Sequence, residues 1–132
     1  DLATAGNLVT ITPAPGNSVE VHEMDDFIIK QGDTNPQIQA TLKNPDGTVV
    51  DLTGINGIVF SMRDRSGAVQ IDKTTATVVN ASGGVVKYDW QTSDTNTSGA
   101  FYAEFQVTFG SGKIETFPNN GYIPVTITPE IA

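Results

Sequence analysis

The sequence contains no cysteine. It therefore offers no disulfide framework, thiolate metal site or thiol nucleophile, and is silent about redox compartment. Histidine is nearly absent too: the only one is His22, flanked by Glu20 and Glu23, so a Ser-His-Asp arrangement has one candidate base and no recognisable partners. Basic residues are scarce, 7 Lys and Arg against 15 Asp and Glu, for a net charge of −8. That balance argues against binding nucleic acid or an anionic membrane through a basic face. No apolar run approaches the roughly 18 residues of a membrane-spanning helix. No stretch sustains a 3.6-residue period, and at most residues 94–98 could close one helical turn. No glycine-rich phosphate loop is present, because Gly83-Gly84 and Gly110-Ser111-Gly112 read as hairpin turns.

What remains is β-rich. The 132 residues include 17 Thr, 13 Val, 13 Gly and 11 Ile, while charged residues make up only 17%. This length suits one domain that buries about two thirds of its unfolded surface. Strand patterns fall at residues 27–30, 38–43, 48–52, 57–63, 69–72, 75–80, 85–90, 101–109, 113–117 and 122–128. Turn signals separate them, among them GDTNP (32–36), NPDG (44–47), DRSG (64–67), ASGG (81–84), GSG (110–112) and PNNG (118–121). Many short strands at this spacing predict a sandwich or barrel, and residues 23–128 match the roughly 100 residues of an immunoglobulin-type sandwich.

The segment 101–109 has a period of two: Phe101, Ala103, Phe105, Val107 and Phe109 on one face, Tyr102, Glu104, Gln106 and Thr108 on the other. The first set, with Trp90 from the alternating run 86–90, is expected in the core. Tyr102 is expected outward and is the best candidate for a sugar-stacking aromatic, with Tyr122 and Trp90 behind it. For 57–63, Val59 and either Phe60 or Met62 set the face, and the pattern leaves the choice open. Residues 1–22 differ from the rest. They read as an N-terminal arm or short strands, a docking segment in which Leu8, Val9 and Ile11 would make the contacts, or as an ordinary first strand. The carboxylates Glu20, Glu23, Asp25 and Asp26 could attract a hard cation or a basic partner, but no D-x-D-x-D-G loop is present and a solvated acidic face accounts for them. Paired carboxylates in a pocket motif are not recognisable either, so no catalytic residues and no cofactor are assigned.

Three segments carry a family resemblance: FIIKQGDTNPQIQATL (27–42); DG (46–47), DLTG (51–54) and VFSMR (59–63); and 86–109, with YDW at 88–90, DT at 94–95 and SG at 98–99. The ending KIETFP (113–118) belongs to the same series. In this order they resemble the N-terminal immunoglobulin-like domain of tailed-phage baseplate upper proteins, over about residues 26–128. The resemblance implies an immunoglobulin-like antiparallel β-sandwich over 23–132 preceded by an extended arm, and a non-enzymatic structural virion protein. It implies other virion proteins as partners and multiple copies on a symmetric assembly. Baseplate or tail is the location it favours, with capsid surface decoration and a host-surface polysaccharide-binding module as alternatives. The position where late sandwich strands often carry a corner tyrosine is occupied here by Phe101, so a tyrosine-corner hydrogen bond is not expected from it.

Overall fold

The computed structural model describes residues 8–12 and 27–131. It contains ten strands and no helix among them: β1 (Leu8–Thr12), β2 (Phe27–Lys30), β3 (Ile38–Lys43), β4 (Gly57–Asp64), β5 (Val69–Thr75), β6 (Thr77–Asn80), β7 (Val85–Tyr88), β8 (Gly99–Thr108), β9 (Ile114–Phe117) and β10 (Ile123–Thr128). They form two sheets, one in the order β1-β3-β7-β6, the other β2-β10-β8-β4-β5 with β9 beside the far half of β8. The fold is an immunoglobulin-like β-sandwich. It is not wholly antiparallel, because β2 runs parallel to β10, Phe27 opposite Val125 and Lys30 opposite Thr128.

Period-two patterning explains which side chains meet between the sheets. Ile38, Ala40 and Leu42 point inward from β3, Ile58, Phe60 and Met62 from β4, and Ile123, Val125 and Ile127 from β10, all buried. The open choice on β4 is thus decided for the even-numbered residues, because Phe60 meets rings from both sheets. It stacks on Tyr88 (centroids 4.6 Å apart, planes 13°), tilts on Phe105 (5.0 Å) and meets Trp90 edge-on (5.8 Å, 88°). Trp90 donates its indole N–H to the Pro36 carbonyl at 3.1 Å, so its one polar atom is satisfied in the core. Phe101, Phe105 and Val107 are buried as well. Phe109 is only half-buried: β8 ends at Thr108, and Phe109 turns into the hairpin, donating its N–H to Lys113 O at 2.8 Å.

Two other predicted strands change shape. Residues 48–52 form only a bridge, Val49 with Lys43, because the neighbouring backbone groups go elsewhere. Val50 N–H to Leu42 O (2.9 Å) and Asn44 N–H to Thr48 O (2.7 Å) make the bridge, but Leu42 N–H donates to Gly84 O (2.8 Å) and Leu52 N–H to Ala81 O (2.8 Å). The run 69–80 is one β5 reaching Thr75 and a separate β6. The buried Ala76, N–H on Ile58 O, marks the point where the chain leaves one sheet for the other.

Gly84 is fixed by this crossing. Its φ is +70°, and a Cβ there would stand 2.8 Å from Val50 O and 2.9 Å from Leu42 O, both backbone atoms. Gly84→Ala is expected to lower stability by about 1–3 kcal/mol. Gly112→Ala, at φ +89° with nothing within 4 Å of its Cβ, isolates the dihedral strain and should cost less. Urea unfolding of the two variants checks this.

The hairpin turns are held by aspartates. Asp46 accepts from Thr48 N–H (3.0 Å) and Oγ1 (2.7 Å). Asp64 accepts from Ser66 Oγ (2.6 Å) and N–H (2.9 Å) and from Ala68 N–H (2.9 Å). Asp51 accepts from Thr53 N–H at 2.9 Å. Hydrogen bonds to the ionised form, led by those of the Thr48, Thr53 and Ser66 side chains, hold all three carboxyls below the ordinary value of 3.8. The folded state therefore favours the charged form. The stabilisation is complete above the unfolded value and is lost as pH falls through the lower folded values. A melting temperature that declines below about pH 4 is expected, with a shallower acid limb in Asp64→Asn, read by thermal melts across the acid range.

Candidate functional site

The six-stranded sheet turns its outer face to solvent. Along β8 that face carries Tyr102, Glu104, Gln106 and Thr108, and along β4 Val59, Ser61 and Arg63. Register places Arg63 opposite Tyr102 on one side, while Pro124 of β10 lies opposite Tyr102 on the other. Tyr122, just before β10, stacks on Tyr102 with centroids 5.0 Å apart and planes at 24°. The Arg63 guanidinium lies 5.2 Å from the Tyr102 ring centroid and 4.9 Å from that of Tyr122. It also donates Nη1–H to Asp64 O at 3.2 Å. Among the described residues no carboxylate is placed within salt-bridge distance of it, whereas Lys87 pairs with Asp89 at 3.4 Å. This cation is held by two aromatic faces rather than by an acid.

Beside the cluster lies a depression of about 360 Å³. The buried Met62, Ile71 and Ala103, whose side chains belong to the core, lie beneath it, and its lining includes Arg63, Val69, Asp72, Tyr102, Glu104 and Tyr122. A second depression, about 520 Å³, begins across Glu104 and Tyr122, which it shares with the first.

At one end of the sandwich the turn after Trp90 is tied down from several directions. Asp94 is 8% exposed; its Oδ2 accepts from the Tyr88 hydroxyl at 2.6 Å and from Gln91 N–H at 2.8 Å. Burial first, then the Asp94 contact, pushes the Tyr88 phenol well above its usual range, so it stays a neutral donor. Thr95, fully buried, donates its hydroxyl to Asp33 O (2.8 Å), and Gly32 N–H donates to Thr95 O (3.0 Å). Gln70 Nε2 on β5 reaches Ser93 O and Asp94 O, each at 3.1 Å. The hydrogen-bonded turn lies at 92–95, with Asp94 N–H on Gln91 O at 2.9 Å, and does not extend over 96–98 as a helical turn. The hydroxyl that secures this corner comes from Tyr88 on β7, and its acceptor is a carboxylate.

The structure separates the candidate residues. Tyr102 and Tyr122 come together on the outer face, while Trp90 is internal. Val9 and Ile11 are buried, with β1 paired to β3 from Leu8 opposite Lys43 to Thr12 opposite Gln39; their side chains pack in the core and are not offered to a partner. Glu20, His22, Glu23, Asp25 and Asp26 lie outside the described residues. Among the described residues no group of three or more Asp, Glu or His is placed to hold a metal ion. Arg63 and Asp94 stand in motifs that carry the family resemblance, but the sequence assigned them no functional role. Arg63 becomes legible once Phe60 and Met62 are known to face inward, since β4 must then present it beside Tyr102.

Fold and face together define an immunoglobulin-like β-sandwich domain whose distinctive surface is an Arg-Tyr-Tyr cluster on an open sheet. The model of the BppU N-terminal domain family matches residues 8–117. The chain belongs to that family, the N-terminal domain of phage baseplate upper proteins, and is a phage structural domain. The match begins at β1 and so includes Leu8–Thr12. No curated protein matches the sequence. Among solved structures, the crystal structure of CopC from Methylosinus trichosporium OB3b is similar at 14% identity and a TM-score of 0.49, over 81% of this chain and 87% of that one.

Proposed function

We propose that this domain is a non-enzymatic, rigid unit of a phage tail or baseplate, acting by its shape and by docking to neighbouring virion proteins. The family match over residues 8–117 carries the reading and supports the baseplate over the capsid surface. The packing suits a spacer: aromatic rings bridge both sheets, and the Asp94 corner is tied to β5, β7 and the turn after β2. Strand addition at a sheet edge would give neighbouring subunits backbone hydrogen bonds. The edges differ in their fitness for this. β5 is shifted in register twice against β4, and Lys73 adopts a positive φ of 47°, features that discourage pairing. β2 is regular, and its Ile28 is 59% exposed, so it is a better acceptor than β5. Repetition on a symmetric assembly would convert weak contacts into firm attachment.

Immunogold electron microscopy tests the assignment, using purified particles produced from the genome that encodes this chain and an antibody against residues 27–131. Gold at the tail tip is the expected result. Gold over the head would replace the baseplate reading with capsid decoration. Unlabelled particles, with the soluble protein still recognised, would end the virion reading altogether.

A further inference from the structure

We propose that the depression between Arg63, Asp72, Tyr102, Glu104 and Tyr122 binds a segment of a neutral, hydroxyl-rich saccharide chain. The volume, about 360 Å³, is at the low end of small-ligand sites and suits one or two sugar rings. The exposed side chains of Val69 and Tyr122 provide apolar surface for the C–H face of a sugar, and the tyrosines add hydroxyls at their rims. The walls mix donors with acceptors: the Arg63 guanidinium, which donates to Asp64 O, and the carboxylates of Asp72 and Glu104.

The charges select among ligands. An anion drawn to Arg63 would meet two carboxylates, on a chain whose net charge is −8. A cation drawn to Asp72 and Glu104 would meet Arg63, which already covers the tyrosine rings. A neutral polyol can hydrogen-bond to all three groups without opposing any of them. The second depression lies next to the first, with Glu104 and Tyr122 lining both, so a chain can extend from one to the other, which favours a polymer over a single sugar. The site is pre-formed, because the ring stack and the Asp64 contact fix Arg63 before any ligand arrives. The proposal stands whatever virion location the domain occupies.

The test is an amide NMR titration of the 132-residue protein with millimolar cellotriose, maltotriose, triacetylchitotriose and β-galactotriose, alongside trigalacturonate and trilysine. At least one neutral trisaccharide is expected to shift the amides of Arg63, Tyr102, Glu104 and Tyr122, with weak affinity. Tyr102→Ala is expected to weaken it about tenfold. Glu104→Gln keeps the shape of the wall and removes its charge; it is expected to weaken binding several-fold, and it decides the matter if Tyr102→Ala fails to fold. The proposal is overturned if no neutral trisaccharide shifts these amides. Stronger shifts at the same residues with trigalacturonate or trilysine would overturn it too, as would undiminished binding by folded Tyr102→Ala.

Discussion

Phe60→Ala should destabilise the domain by about 3–5 kcal/mol, measured by urea unfolding with tryptophan fluorescence. Phe60 is fully buried and touches rings from both sheets: Tyr88 of β7 at 4.6 Å, Phe105 of β8 at 5.0 Å and Trp90 at 5.8 Å. Removing it takes away the transfer free energy of a whole ring. It also leaves a cavity that two hydrogen-bonded sheets cannot close by moving together. Phe60→Leu keeps part of the volume and should lose about half as much. A loss under 1 kcal/mol in Phe60→Ala would show that the sheets do collapse onto the gap, and that the ring cluster is not the centre of the core.

The second large effect is expected at the corner. Asp94→Ala should cost about 2–4 kcal/mol, because it leaves the Tyr88 hydroxyl and the Gln91 amide without their acceptor where water has little access. Asp94→Asn retains an oxygen able to accept both bonds and should cost less than half of that. Tyr88→Phe removes one donor and leaves the other, and belongs between the two. A double-mutant cycle over Tyr88 and Asp94 isolates their coupling. If Asp94→Ala and Asp94→Asn were equally destabilising, charge and not acceptor geometry would be what the corner requires. If Asp94→Ala were near neutral, the ties from Thr95 to Asp33 and from Gln70 to Asp94 O would be sufficient by themselves.

Proline, glycine, asparagine and aspartate placed the turns, because each turn needs a backbone geometry or a local hydrogen bond those residues supply. The resulting aspartate-capped hairpins at Asp46 and Asp64 follow from sequence spacing alone. Alternation placed the cores of β3, β8 and β10, since a strand with one wet face has to separate its apolar residues by two. It also put Tyr102 outside. These are local rules, acting over a few residues, and they suffice for an all-β class and for most strand positions.

Other features depended on distant contacts. The inward face of β4 was undecided locally because Val59, Phe60 and Met62 are all apolar; the aromatic partners on β7 and β8 chose it, and the same choice brought Arg63 to Tyr102. Residues 48–52 have strand-like residues but form only one bridge, since Gly84 and Ala81 take up the backbone groups a ladder would need. The parallel β2–β10 pair joins segments almost a hundred residues apart, and no local pattern encodes strand direction. Asp94 reads as a turn residue until Tyr88, six positions earlier, points its hydroxyl at it. Val9 and Ile11 have the alternation of a strand either way, and only pairing with β3 buries them in the core. By itself the sequence determined where the chain turns and which faces of its strands are apolar, because those depend on neighbours in the chain. Which strands meet, and so which outward side chains share a surface, was decided by the tertiary structure, because those neighbours are brought together only when both sheets close on one core.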